Sequence, residues 1–171
     1  MGMITATLMT KAVYAESTIS EIEEYKGLQS AEMREILITE DERKSYMSYT
    51  AITNKSSPQY KMQLRAKTDE ITGIRMIGDR YCVACGSGIS DKIGTYLDVT
   101  LESGAVIDCI VGDVKADRHT RGGQCLQGLD GSTIEFIVDT KRIPEEVEQT
   151  GDLSSISGWE WKVTKITVCE M

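Results

Sequence analysis

The chain is poor in positive charge. Its 19 lysines and arginines are outnumbered by 27 aspartates and glutamates, which leaves a formal charge of −8. A surface this acidic repels phosphate backbones. The basic clusters Arg65/Lys67 and Lys141/Arg142 are short and lie among acids, so a nucleic-acid partner is excluded. Long apolar runs are also missing, and with them any helix that could span a bilayer. His119 is the single histidine, and the five cysteines lack the spacing that completes a zinc set. The reading therefore contains no metal and no cofactor. With one phenylalanine in the chain, Phe136 is the only benzyl group available to a core. What remains, 40% hydrophobic and 27% charged residues, is the balance of a globular chain rather than a disordered one. A length of 171 residues allows one soluble domain with a sizeable core and a short extra arm.

The first fifteen residues have two readings. Met3–Met9 is mildly apolar, and Val13-Tyr14-Ala15 puts small residues ahead of the polar Glu16, as a signal-peptide remnant would, although a basic n-region is lacking. The alternative is a frayed terminus with no targeting role. On the first reading the protein is extracellular or cell-wall associated. Cys82-Val-Ala-Cys85 has the spacing of a redox or zinc pair, yet Arg80–Cys85 reads as a buried strand, in which residues three apart face opposite sides. Small buried hydrophobes are the expected role for most of the cysteines.

Residues 16–50 are expected to form a helical arm or spacer. Ser20…Glu23 and Thr39…Glu42 fit capping boxes, and Ile22, Tyr25, Met33, Ile36 and Leu37 supply a patchy apolar stripe. After the turn cluster 54–58, Tyr60, Met62, Leu64 and Ala66 alternate with Lys61, Gln63, Arg65 and Lys67, which predicts a half-buried strand. Further strands are expected at 80–85, 96–101, 105–111, 133–138 and 161–168, with a hairpin turn at Glu102-Ser-Gly104. Pro144–Gly151 has the grammar of a short helix. Val83, Val99, Ile107, Ile110, Ile134, Phe136 and Val138 are expected in one core. Residues 51–171 thus read as a mainly β domain, and the many short strands suggest a small closed barrel.

The segment Val111-Gly-Asp-Val-Lys-Ala-Asp-Arg-His-Thr120 packs Asp113, Lys115, Asp117 and His119 into seven positions. It is expected to leave a strand that ends at Val111, with Gly112 permitting a sharp turn. Turn-making alone would also account for such residues.

Together with Tyr81-Cys-Val-Ala, Ile93-Gly-Thr-Tyr96 and Ile134-Glu-Phe-Ile-Val-Asp139, this segment resembles, in order and spacing, the three-aspartate (3D) domain. The closer likeness is to a branch found in exported or phage- and conjugation-associated proteins of Gram-positive bacteria, and it runs from about Ala51 to Ile166. The resemblance implies a six-stranded double-psi β-barrel, here with an N-terminal helical arm and one short C-terminal helix. It implies, in its better-known members, a lytic transglycosylase that cuts peptidoglycan glycan strands through carboxylates. Asp113 matches the family's aspartate of the Ala-Asp-Thr-Gly-type motif, and Glu135 falls where the family has the aspartate of its last core strand. The first family aspartate should fall near Gly86, where this chain has no acid; Asp117 and Asp91 are the acids that could stand in.

A lytic transglycosylase can work with one carboxyl as acid and then base, provided its surroundings keep it protonated near neutral pH. Asp113 is the first candidate, with Glu135 and Asp117 as charge partners and His119 as an orienting group. Lys115, Thr120, Trp159 and Trp161 are candidate substrate contacts; the two tryptophans, two residues apart, would share a strand face and stack on sugars, or else pack in the core. The alternative class is a non-catalytic barrel that binds glycan or protein in a cell-envelope, phage or conjugation assembly.

Overall fold

The computed structural model describes residues 32–121 and 126–170. The possible leader at 1–15, the Ser20…Glu23 capping box and Cys125 lie outside them. Nine strands form one mixed sheet: β1 Glu32–Leu37, β2 Arg43–Ser48, β3 Lys67–Thr68, β4 Arg75–Ile77, β5 Arg80–Gly86, β6 Tyr96–Leu101, β7 Val106–Lys115, β8 Ser132–Val138 and β9 Val163–Glu170. Two α-helices are described, α1 Pro58–Arg65 and α2 Glu145–Thr150. The protein is mainly β, as expected.

The sheet does not close into a barrel, and its strands number nine rather than six. Pairing runs β1-β9-β6-β7-β5-β4-β3, while β8 joins the same edge of β5 as β4 and carries β2 on its far side. Two of the extra strands come from the segment read as a helical arm. Residues 32–37 and 43–48 are extended because tertiary partners claim them. The buried Asp41 carboxylate accepts from Thr133 N at 3.2 Å and Val163 N at 2.9 Å, and Lys44 Nζ donates to Trp161 O at 2.6 Å. Local capping signals are worth about 1 kcal/mol each and yield to such anchors. Thr39…Glu42 caps nothing.

The opposite correction holds at 58–65. Alternation predicted a strand, but Ser57 Oγ accepts from Tyr60 N at 3.1 Å and Pro58 occupies the first turn, so a helix starts there. Leu64 betrays the false alternation by being 71% exposed. Apart from the C-terminal end of β7, the other strand limits fall close to expectation, as do the turn at Gly104 (φ 86°) and the short helix α2, which ends on Gly151 (φ 67°).

Each face of β5 buries its own cluster. Val83 and Cys85 pack with Val99, Ile107, Ile134, Phe136 and Val138, whereas Cys82 packs with Ile52, Ile110 and Ile137 beneath α1. Ile110 therefore belongs to the second core, not the first. Cys82 and Cys85 face opposite sides, as the strand period requires, and both are free thiols. Burial pushes Cys82 up to about 11 and Cys85 up to about 12, so neither is a thiolate at neutral pH. Phe136 meets the Trp159 ring at 5.1 Å. Phe136→Ala is expected to cost about 3–5 kcal/mol by denaturant unfolding; a loss under about 1 kcal/mol would contradict this core.

Candidate functional site

Strand β7 does not end at Val111. It continues to Lys115, and its pairing with β5 passes from Val83↔Val111 directly to Ala84↔Asp113. Gly112 is the extra residue of a β-bulge, and a bulge reverses the alternation beyond it. Val111 faces the first core, and without the bulge Asp113 would follow it there. With the bulge, Val114 takes the core side and Asp113 and Lys115 turn to the other face. Gly112 is needed for closeness rather than for a turn: a Cβ there would lie 2.8 Å from Ile137 Cδ1 and 3.4 Å from Cys82 Cβ.

Glu135 reaches the same face from β8. Ala84 is paired with Glu135 on one side and Asp113 on the other, and Ser45 of β2 is paired with Glu135 beyond. Ser45, Glu135, Ala84 and Asp113 thus form one polar row across four strands, beside the apolar residues Cys82, Ile110 and Ile137 of the second core. Two strand spacings, about 9–10 Å between Cα atoms, separate the two acids, and Ala84 leaves the space between them low.

Lys115 ties the row together. Its Nζ lies 3.8 Å from Glu135 Oε2 and donates to Ser132 Oγ at 3.1 Å. Ser132 Oγ donates in turn to Asp130 Oδ1 at 2.7 Å and accepts from Ser45 Oγ at 2.7 Å. Gly128 makes room for the ammonium, since a Cβ there would be 2.8 Å from Nζ. Asp113 Oδ1 accepts from Val114 N at 2.9 Å and from Gln59 Nε2 of α1 at 3.4 Å.

Burial pushes the Glu135 carboxyl above its ordinary range. Lys115 pulls it back, while the charges of Asp130 and Asp113 push it up again, and the balance is upward. Asp130 goes the other way: burial raises it, but hydrogen bonds from Ser132 outweigh that and hold it low. The side chains of Lys115 and Glu135 are 10% and 22% exposed, so this charge pair is only partly screened.

The remaining candidates lie apart from this row or are otherwise engaged. Asp117 and His119 sit in an exposed 3-10 turn after β7, where Asp117 Oδ1 accepts from Ser87 Oγ at 2.7 Å and Arg118 Nε donates to His119 Nε2 at 3.3 Å. Thr120 is buried and its hydroxyl donates to Asp117 O at 2.6 Å. Asp91 is exposed in the loop after β5. The two tryptophans share no strand face, because both precede β9. Trp159 packs on Tyr81 at 5.4 Å and on Phe136, while Trp161 is 47% exposed.

Among the described residues no cluster of three His, Cys, Asp or Glu side chains is placed to hold a metal ion, and no helix is long and apolar enough to cross a membrane. No family model matches the chain, and no curated protein matches it.

Two measurements test this geometry. A carboxyl whose folded pKa is raised contributes stability only below its unfolded pKa and loses it as pH rises through the folded value. Glu135→Gln, which cannot ionise, should therefore melt above the parent at pH 7–8, and the gap should close as acidification protonates Glu135 in the parent. A gap that does not depend on pH would contradict the burial of this carboxyl. Separately, Gly112→Ala should destabilise by about 1–3 kcal/mol through overpacking, and less in an Ile137→Val background, which removes Cδ1. Equal losses in both backgrounds would mean that the close approach lies elsewhere.

Proposed function

We propose that the chain cleaves glycan strands of the bacterial cell wall by a lytic-transglycosylase-type reaction, with Glu135 as the single acid and base. The observation that carries the reading is a carboxyl raised by burial, set across one alanine from a second carboxyl and within reach of a lysine. The motif resemblance to three-aspartate domains supports the choice of substrate.

In this mechanism protonated Glu135 gives its proton to the glycosidic oxygen as the C1–O bond breaks. Asp113, on the opposite side of Ala84, stabilises the positive charge that develops on the sugar ring. The Glu135 anion, held by Lys115, then takes the proton of the same sugar's C6 hydroxyl while O6 bonds to C1. The products are a 1,6-anhydro sugar end and a free hydroxyl, no water is consumed, and the acid is restored. The roles of the two acids are thus exchanged relative to the sequence reading, because Glu135 is the carboxyl that burial shifts upward.

The test is digestion of purified peptidoglycan with chromatographic analysis of the ends. The parent should release anhydro sugars. Glu135→Gln should lower the rate by a factor on the order of a hundred or more; Asp113→Asn should lower it too, and Asp91→Asn should leave it unchanged. Activity that survives Glu135→Gln would remove Glu135 from the role. A parent that binds glycan without cutting it would leave the non-catalytic reading.

A further inference from the structure

Sugar-binding sites present an aromatic surface beside the scissile bond, and the tryptophans are not part of the acid row here: Trp159 packs on the first core, and Trp161, although exposed, lies in the segment before β9. The face that carries Glu135 and Asp113 holds another candidate. A cavity of about 380 Å³ is lined by Tyr49, Ile52, Lys55, Tyr60, Gln63 and Leu64, among others. Its floor is the second core, on which Ile52, Tyr49 and Tyr60 pack, so cavity and acid row occupy one side of the sheet.

Helix α1 joins the two. Gln59 hydrogen-bonds Asp113, and the next residue, Tyr60, lines the cavity. The cavity is held in shape by Arg75, which lies over the Tyr49 ring at 4.6 Å and donates to Gln63 O and Ala66 O at 2.7 Å each. Preformed walls reduce the ordering cost of binding. Gln63 adds a buried amide whose Nε2 has the Cys82 sulfur, a weak acceptor, as its neighbour. Lys55 is the cation among the lining residues, and it is exposed.

We infer that this cavity is a subsite for one amino sugar of the strand, with its acidic peptide stem directed to Lys55. The inference rests on the glycan-cleaving reading for its link to the acid row. Tyr49 and Tyr60 contribute rings for the sugar face, and the single cation distinguishes a muramyl peptide, which carries carboxylates, from an uncharged chitin oligomer.

The experiment uses the full chain carrying Glu135→Gln and two soluble probes, a disaccharide-tetrapeptide from peptidoglycan and a neutral N-acetylglucosamine oligomer, with affinities from calorimetry. Tyr60→Leu, which keeps an apolar group on the second core, should weaken both probes roughly tenfold. Lys55→Glu, at an exposed position with no packing role, should weaken the disaccharide-tetrapeptide alone. In the active parent background the same two substitutions should raise KM on peptidoglycan and leave kcat nearly unchanged. Probe affinities untouched by both substitutions overturn the subsite, and do so whether or not the parent cuts. Affinities that fall as described in a parent that does not cut support the subsite and reject the cleavage reading.

Discussion

The site depends on one extra residue in one strand. Gly112 interrupts the pairing of β7 with β5 and reverses the side on which the following residues project. Strand alternation is rigid, so shifting its parity by one residue moves every side chain beyond to the other face. Ile107, Cys109 and Val111 can therefore build the first core while Asp113 and Lys115, on the same strand, face the other way. The residue has to be glycine because the second core comes within 2.8 Å of where a Cβ would stand. That closeness has two consequences. It brings Gln63 of α1 down over the bulge, and so brings Gln59 to Asp113.

The second face is divided rather than uniform. Its apolar part, Cys82, Ile110 and Ile137, is covered by α1 and Ile52, and its polar part begins one register step further along β5. A charged row placed against a core loses hydration, and the loss is affordable only where partners replace the water. Ser45, Ser132, Asp130 and Lys115 supply those partners by hydrogen bonds at 2.7 to 3.1 Å. Glu135 receives the least compensation, a lysine at 3.8 Å, and for that reason its carboxyl is the one pushed upward. On the proposed reading, stability and reactivity are opposed at this residue, as is usual for groups whose chemistry depends on incomplete solvation.

Much of the strand framework was legible in the sequence because β5, β6 and β8 are self-consistent. Their apolar runs are bounded by turns, and Glu102-Ser-Gly104 closes one hairpin with local bonds from Gly104 N to Leu101 O at 2.9 Å and from Leu101 N to Ala105 O at 2.8 Å. What was misread was decided by distant partners. Nothing local to Arg43–Ser48 announces that Asp41 and Lys44 will be bonded to residues more than ninety positions away. At Tyr60–Lys67 the alternation was real, but it competed with a Ser-Pro helix start, and the cap won. In the site, Asp113 and Lys115 were found from the crowding of charged residues in 111–120, and Glu135 from motif likeness. Ser45 carried no signal, because it lay in a segment with helical grammar. Asp130 and Ser132 had one, a turn of the Asp-Gly-Ser kind directly before a strand. Gly112 was noticed for the wrong reason: a glycine inside a strand pattern marks a bulge or close approach as readily as a turn.

The position near Gly86, where a three-aspartate site would carry its first acid, has no side chain in this protein and is paired with Lys115. On the proposed reading, a lysine beside the two carboxyls, where a third acid would otherwise stand, alters how a proton can be kept on one of them. Among three acids, mutual repulsion would hold one of them protonated, and solvation would matter less. Beside a lysine that repulsion is opposed, and desolvation heads the causes of the upward shift at Glu135. The two devices differ in what they do after the proton leaves. A triad of acids would resist the resulting anion, whereas on the proposed reading the lysine 3.8 Å away would hold it in place to receive the next proton. A burial-driven acid with a neighbouring cation therefore suits a two-step use of one carboxyl, first as donor and then as acceptor. On the proposed reading, the lysine opposite Gly86 takes up part of the task that the absent acid would have had.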